Sequence, residues 1–111
     1  MMHAEFLSKV SALYHRFQEH DSTQTDRIAR FRNIEPESAQ FLAQLVHIQQ
    51  PQQILEIGTS TGYSTLWLAY AVQQVNARLT TLEIDADRSQ QAASHLADFN
   101  LSNGVEFWVG D

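Results

Sequence analysis

The chain has 111 residues, a formal charge of −6 at pH 7, 43% hydrophobic and 18% charged residues, and no cysteine. That length allows one domain, burying about 60–70% of its unfolded surface, and the composition is that of a globular chain rather than a disordered one. Disulfides and thiolate metal sites are excluded, and the lack of any Lys/Arg block argues against nucleic acid or an anionic membrane as a partner of this segment. No apolar run approaches the ~18 residues of a membrane span, and the first residues lack the layout of a signal peptide, so the default location is cytoplasmic.

From His3 to about His20, Phe6, Val10, Leu13 and Phe17 recur at helical spacing with Ala4, Leu7 and Tyr14 beside them, which predicts an amphipathic helix. Asp21-Ser22-Thr23 reads as a break and N-cap, followed by a shorter helix from Gln24 to about Arg32. Asn33-Ile-Glu-Pro-Glu-Ser38 has the form of a helix start, with Pro36 in the first turn and Glu37 complementing the dipole. Ala39, Leu42 and Val46, together with Phe41, Leu45 and Ile48, give this helix a wide apolar face suited to packing on a sheet, and Pro51 ends it.

Ile54 to Ile57 is short and mostly apolar, as a parallel strand is. A glycine-containing turn leads into a helix from Tyr63 to about Val75, then a strand from Leu79 to Ile84. Asp85 or Asp87 caps the next helix, which runs to about Asn100 with Ala92, Ala93, Leu96 and Phe99 inward. Asn103-Gly104 turns the chain into a third strand, Val105 to Val109. The fold class expected is α/β, a Rossmann-like parallel three-stranded sheet in the order 3-2-1 with flanking helices, made by right-handed crossovers. Residues 1–33 form an N-terminal helical segment and 34–111 the sheet-bearing part.

Two same-handed crossovers put both connecting helices on one sheet face. The opposite face and the free edge of the first strand are then bare, which points to a piece of a larger domain and to self-association as a homodimer.

The chemistry concentrates in Glu56-Ile-Gly58-Thr-Ser60-Thr-Gly62-Tyr63-Ser64. A strand, a tight turn and a helix start in this order leave backbone N–H groups that favour anionic ligand groups. Glu56 at the strand end can accept from a ligand ammonium, and Gly58 lets a ligand approach the backbone. A plain tight turn explains the glycines alone. The dinucleotide fingerprint would require glycine where Ser60 and Tyr63 stand, which disfavours a nicotinamide cofactor. Glu83, about twenty residues on, sits where a carboxylate takes both ribose hydroxyls, although any single strand-end Glu is more often just solvated.

Glu83, Asp85 and Asp87 alternate like the start of a calcium loop, but no glycine follows at the sixth position, and calcium is rejected. Asp111 closes the third strand near where an adenine edge would lie. The five histidines are scattered without ligand spacing, and no nucleophile stands beside a base, so no catalytic or metal residue is assigned.

Leu55-Glu-Ile-Gly-Thr-Ser-Thr-Gly-Tyr-Ser-Thr65, Thr81-Leu-Glu-Ile-Asp85 and Val109-Gly-Asp111 together resemble the S-adenosylmethionine-dependent O-methyltransferases of the catechol and caffeoyl-CoA type. The resemblance extends upstream to Ile34-Glu-Pro-Glu-Ser38 and implies the N-terminal half of a class I methyltransferase domain. It implies that Glu56 and the turn Gly58-Thr-Ser60-Thr-Gly62-Tyr63 hold the methionine part of the cofactor, with Ser64 near its carboxylate. It further implies that Glu83 holds the ribose, that Asp111 lies near the adenine, and that a small-molecule hydroxyl accepts the methyl group. In that family the divalent metal, the catalytic base region and most of the acceptor pocket follow the third strand, so metal and catalysis belong to a complete protein and this chain alone is expected to be inactive. A non-catalytic Rossmann-like self-association or binding module is the alternative.

Overall fold

A computed structural model describes residues 3–24 and 34–110. Its elements in chain order are α1 (His3–Thr23), α2 (Pro36–Gln49), β1 (Gln53–Ile57), α3 (Tyr63–Val75), β2 (Arg78–Glu83), α4 (Ala86–Asp98) and β3 (Val105–Val109). The strands form one parallel sheet with β2 in the middle, and Glu56 lies opposite Thr81 while Glu83 lies opposite Val109. The helix expected from Gln24 to Arg32 falls almost wholly outside the described residues.

α1 buries the stripe anticipated for it, Phe6, Val10, Leu13 and Phe17. Phe6 is the anchor: its ring stacks on Tyr70 at 4.2 Å and meets Trp67 edge-on at 4.9 Å. Each such side chain contributes about 1.5–3 kcal/mol by leaving water. The break expected at Asp21-Ser-Thr does not occur, since the helix continues through Thr23. Ser22 and Thr23 donate their hydroxyls back to the carbonyls of Glu19 and His20. Hydroxyls that satisfy the last carbonyls of one helix close that helix instead of opening the next.

α2 starts at Pro36 and packs chiefly against α3 through Ala39, Ala43 and Val46 rather than against the sheet. Phe41 is 60% and Ile48 77% exposed, so the wide apolar face was over-read. Small residues let the two helix backbones come close, and that contact rotates the bulkier apolar side chains outward.

α3 and α4 cover one sheet face, where Ile54, Leu79, Val105 and Phe107 point into the core. Asp85 is the cap of α4, accepting the N–H groups of Asp87 and Arg88. α4 ends at Asp98, two residues short of expectation, because Asn100 turns left-handed at φ 55° and Leu101 closes onto the Leu96 carbonyl. The opposite sheet face is open: Leu55 and Ile57 of β1 are 60% and 81% exposed, and Trp108 of β3 is 55% exposed.

Candidate functional site

The carboxyl ends of the parallel strands converge on the turn between β1 and α3. Gly58 and Thr59 both donate their N–H to the Leu82 carbonyl, at 2.8 and 3.0 Å, which stitches the turn onto β2. The Thr59 carbonyl accepts from Gly62 at 3.1 Å, closing the tight bend that starts α3. Gly58, Ser60 and Gly62 all have positive φ, at 94°, 52° and 100°. Ser60 therefore occupies a left-handed position where the dinucleotide pattern would place glycine.

Glu83 is 9% exposed and faces this turn. One carboxylate oxygen accepts the Ser60 N–H at 2.7 Å and the other accepts the Asp85 N–H at 3.0 Å. The side chain thus clasps the glycine turn to the entry of α4, and each oxygen keeps a further acceptor direction. Gly110 extends the same edge by donating to the Glu83 carbonyl. Asp111 lies outside the described residues.

Glu56 points to the helix-covered side, where its carboxylate gathers hydroxyls. Oε2 accepts from Ser64 at 2.6 Å; Oε1 accepts from Thr65 at 2.5 Å and from Thr81 at 2.7 Å. Thr59 reaches the Thr81 hydroxyl at 2.6 Å. The sequence reading missed these threonines, although a threonine at an inward position of a buried strand, as Thr81 is, signals a hydroxyl that needs a partner. His95 of α4, one of the five scattered histidines, donates from Nδ1 to the Thr61 carbonyl at 2.9 Å and so ties α4 to the turn.

Of the residues singled out, the structure brings Glu56 and Ser64 into direct contact, and likewise Ser60 and Glu83. A Cβ on Gly58 would meet nothing within 4 Å, so that position opens outward. Gly62 instead packs against Ala92 of α4 and caps α3 without a side chain of its own. The Tyr63 ring is 1% exposed and lies 4.9 Å from Tyr14, inside the core rather than along the turn.

Burial raises the Tyr63 phenol above its ordinary value, and the neighbouring Tyr14 and Glu37 add to the rise. The Trp67 indole works against it, although its N–H, like the Thr61 hydroxyl, is buried without meeting hydrogen-bond geometry. A phenol held neutral in this way contributes stability in full below its unfolded value near 10, and the contribution is lost as pH rises through the folded value. Tyr63→Phe is therefore expected to move alkaline unfolding to higher pH, read by circular dichroism between about pH 9 and 12. An unchanged midpoint would show that the phenol carries none of that dependence.

The O-methyltransferase family model matches residues 9–111. The chain belongs to the O-methyltransferase family. A catechol O-methyltransferase of Niastella koreensis is 36% identical over 78 residues, covering 70% of this chain and 35% of that protein. The O-methyltransferase TomG of Streptomyces achromogenes, solved with SAM, aligns with a TM-score of 0.72 and 33% identity over 96% of this chain and 43% of its own. The O-methyltransferase of Bacillus cereus, solved with SAH, gives a TM-score of 0.67 and 31% identity, covering 97% and 42%.

The chain therefore spans a little over a third of that curated relative's length and somewhat less than half of those two solved chains. The architecture is that of class I methyltransferases, with the three strands in the order expected for them. Among the described residues no helix is long and apolar enough to cross a membrane.

Proposed function

We propose that this chain supplies the S-adenosylmethionine-binding part of an O-methyltransferase acting on a hydroxyl of a small, catechol-like acceptor. The observation that carries the reading is the clasp between Ser60 and Glu83, which sets a strand-end carboxylate beside a glycine turn at a helix start. The residues fit the cofactor. Gly58 leaves open space for close approach, Glu83 keeps acceptor directions for ribose hydroxyls, and the uncapped start of α3 offers N–H groups to a carboxylate. Glu56 and Ser64 would face the methionine part, and Asp111 the adenine. When bound, the cofactor would supply an electrophilic methyl group for an acceptor oxygen, and these residues would bind and orient it.

The described residues contribute binding and orientation to that reaction. Among the described residues no three His, Asp or Glu side chains converge as a metal would require. Calorimetric titration with S-adenosylhomocysteine is expected to give saturable heat that Glu83→Ala weakens at least tenfold, since both clasping bonds go with it. Absence of heat from folded protein would remove the reading.

The open sheet face supports a second element of the proposal, a homodimer. Leu55, Ile57, Leu82 and Trp108 form an apolar surface across all strands, and Arg78 and Glu106 on the same face supply one charge of each sign. A two-fold contact between copies could pair those charges while burying the apolar rows. This surface is also what favours the alternative of a self-association module. Sedimentation should give a dimer that Trp108→Glu dissociates; a monomer at high concentration would exclude both. The location proposed is cytoplasmic, on composition alone.

A further inference from the structure

We propose that Thr81 is a positioning residue for the cofactor turn, acting through Glu56. The proposal rests on the reading of that turn as a cofactor site. Thr81 lies directly opposite Glu56 in the β1–β2 register and is fully buried, so it touches no ligand. Its hydroxyl donates to Glu56 Oε1 at 2.7 Å. A hydroxyl has one proton, so in the 2.6 Å contact with Thr59 the donor must be Thr59. The direction of the relay is thereby fixed: Thr59 to Thr81 to Glu56.

The two ends of this relay lie in different parts of the site. Thr59 belongs to the turn itself, between Gly58 and Ser60, is 1% exposed, and has its backbone held by Leu82. Glu56 reaches the first turn of α3 through Ser64 and Thr65. Thr65 and Thr81 together fill both acceptor directions of Oε1 and stop rotation of the carboxylate. One acceptor direction remains on Oε2, beyond the bond from Ser64.

Stability alone does not call for the bond between Thr59 and Thr81. Valine has nearly the shape of threonine, and replacing both members of that buried pair by apolar groups of the same shape costs little beyond the bond from Thr81 to Glu56 that either Thr81 replacement by valine removes. What the hydroxyls add is a fixed carboxylate orientation and a fixed path for the turn.

The test compares the full chain with Thr81→Val, Thr81→Ser and the double variant Thr59→Val/Thr81→Val. It measures S-adenosylhomocysteine affinity, the melting temperature and amide hydrogen exchange at Ser60. Thr81→Val is expected to weaken binding about tenfold and to speed Ser60 exchange to a similar degree, the equivalent of one buried hydrogen bond. Thr81→Ser keeps the relay and should bind within about twofold of the parent. The double variant should melt no lower than Thr81→Val, because it no longer buries an unpaired Thr59 hydroxyl, and should bind as weakly as Thr81→Val.

A Thr81→Val protein or double variant that binds like the parent would reduce Thr81 to packing and overturn the proposal. If the parent itself binds no S-adenosylhomocysteine, the cofactor reading fails separately. Ser60 exchange still decides the relay in that case: an unchanged rate in Thr81→Val overturns it.

Discussion

Glu56→Ala is expected to lower the melting temperature by about 10–20 °C, the equivalent of ~2–4 kcal/mol in a domain of this size, and to abolish S-adenosylhomocysteine binding. A carboxylate at a strand end in water would contribute little. This one accepts hydroxyl protons from Ser64, Thr65 and Thr81, and the last two are fully buried. Hydrogen bonds to a charged acceptor contribute about 1.5–3 kcal/mol each, but bonds that share a carboxylate are not additive, which sets the expected total below their sum.

Alanine would also release the start of α3 from β1 and β2 together. Glu56→Gln separates the two roles. It retains one carbonyl acceptor and should recover more than half of the lost melting temperature, while binding stays weak because the amide N–H₂ now faces hydroxyl donors. A Glu56→Ala protein melting within about 2 °C of the parent would mean that the hydroxyl cluster holds without its acceptor.

The second large effect is at Gly62. A Cβ there would stand 2.9 Å from the Cβ and 3.0 Å from the Cα of Ala92, and φ is 100°, a conformation unfavourable for any L side chain. Overpacking against α4 and backbone strain add, so Gly62→Ala is expected to cost about 3–5 kcal/mol, measured by urea denaturation. Gly58→Ala is the informative comparison. Its φ of 94° is equally unfavourable, but nothing lies within 4 Å of the added carbon. It should cost only about 1–2 kcal/mol while blocking close approach of a ligand. Ala92→Gly introduced with Gly62→Ala should recover part of the steric cost and none of the strain. Equal destabilisation by the two glycine replacements would contradict this division between a packing glycine and a binding glycine.

That division was not legible in the sequence. Both glycines flank the same turn, and the pattern that identifies the turn says nothing of which one α4 will press against. Tyr63 shows the same limit: the resemblance placed it in the turn that holds the methionine part, whereas the approach of α1 put Tyr14 against its ring. Thr81 was passed over because a lone threonine in a strand carries no signal until the parallel register sets it opposite Glu56.

Local chemistry did determine much. Apolar spacing in α1, the alternation of strand and helix from β1 to β3, the Asp85 cap and the strand order all follow from short-range pattern and the handedness of crossovers. Hydroxyl bonding at Ser22 and Thr23 shows where that logic reverses, since the same residues can close one helix or open another.

The stretch from Glu56 to Ser64 was therefore recognisable as a strand-turn-helix with an acid at its base, because that pattern is sequential. Only the tertiary structure decided what each residue does there. Glu56 became the acceptor of a buried hydroxyl cluster and Glu83 the clasp on Ser60, because β2 runs beside β1 in one register and brings Thr81 and Glu83 beneath the turn. Contacts between residues more than twenty apart depend on that register, and no local spacing encodes it.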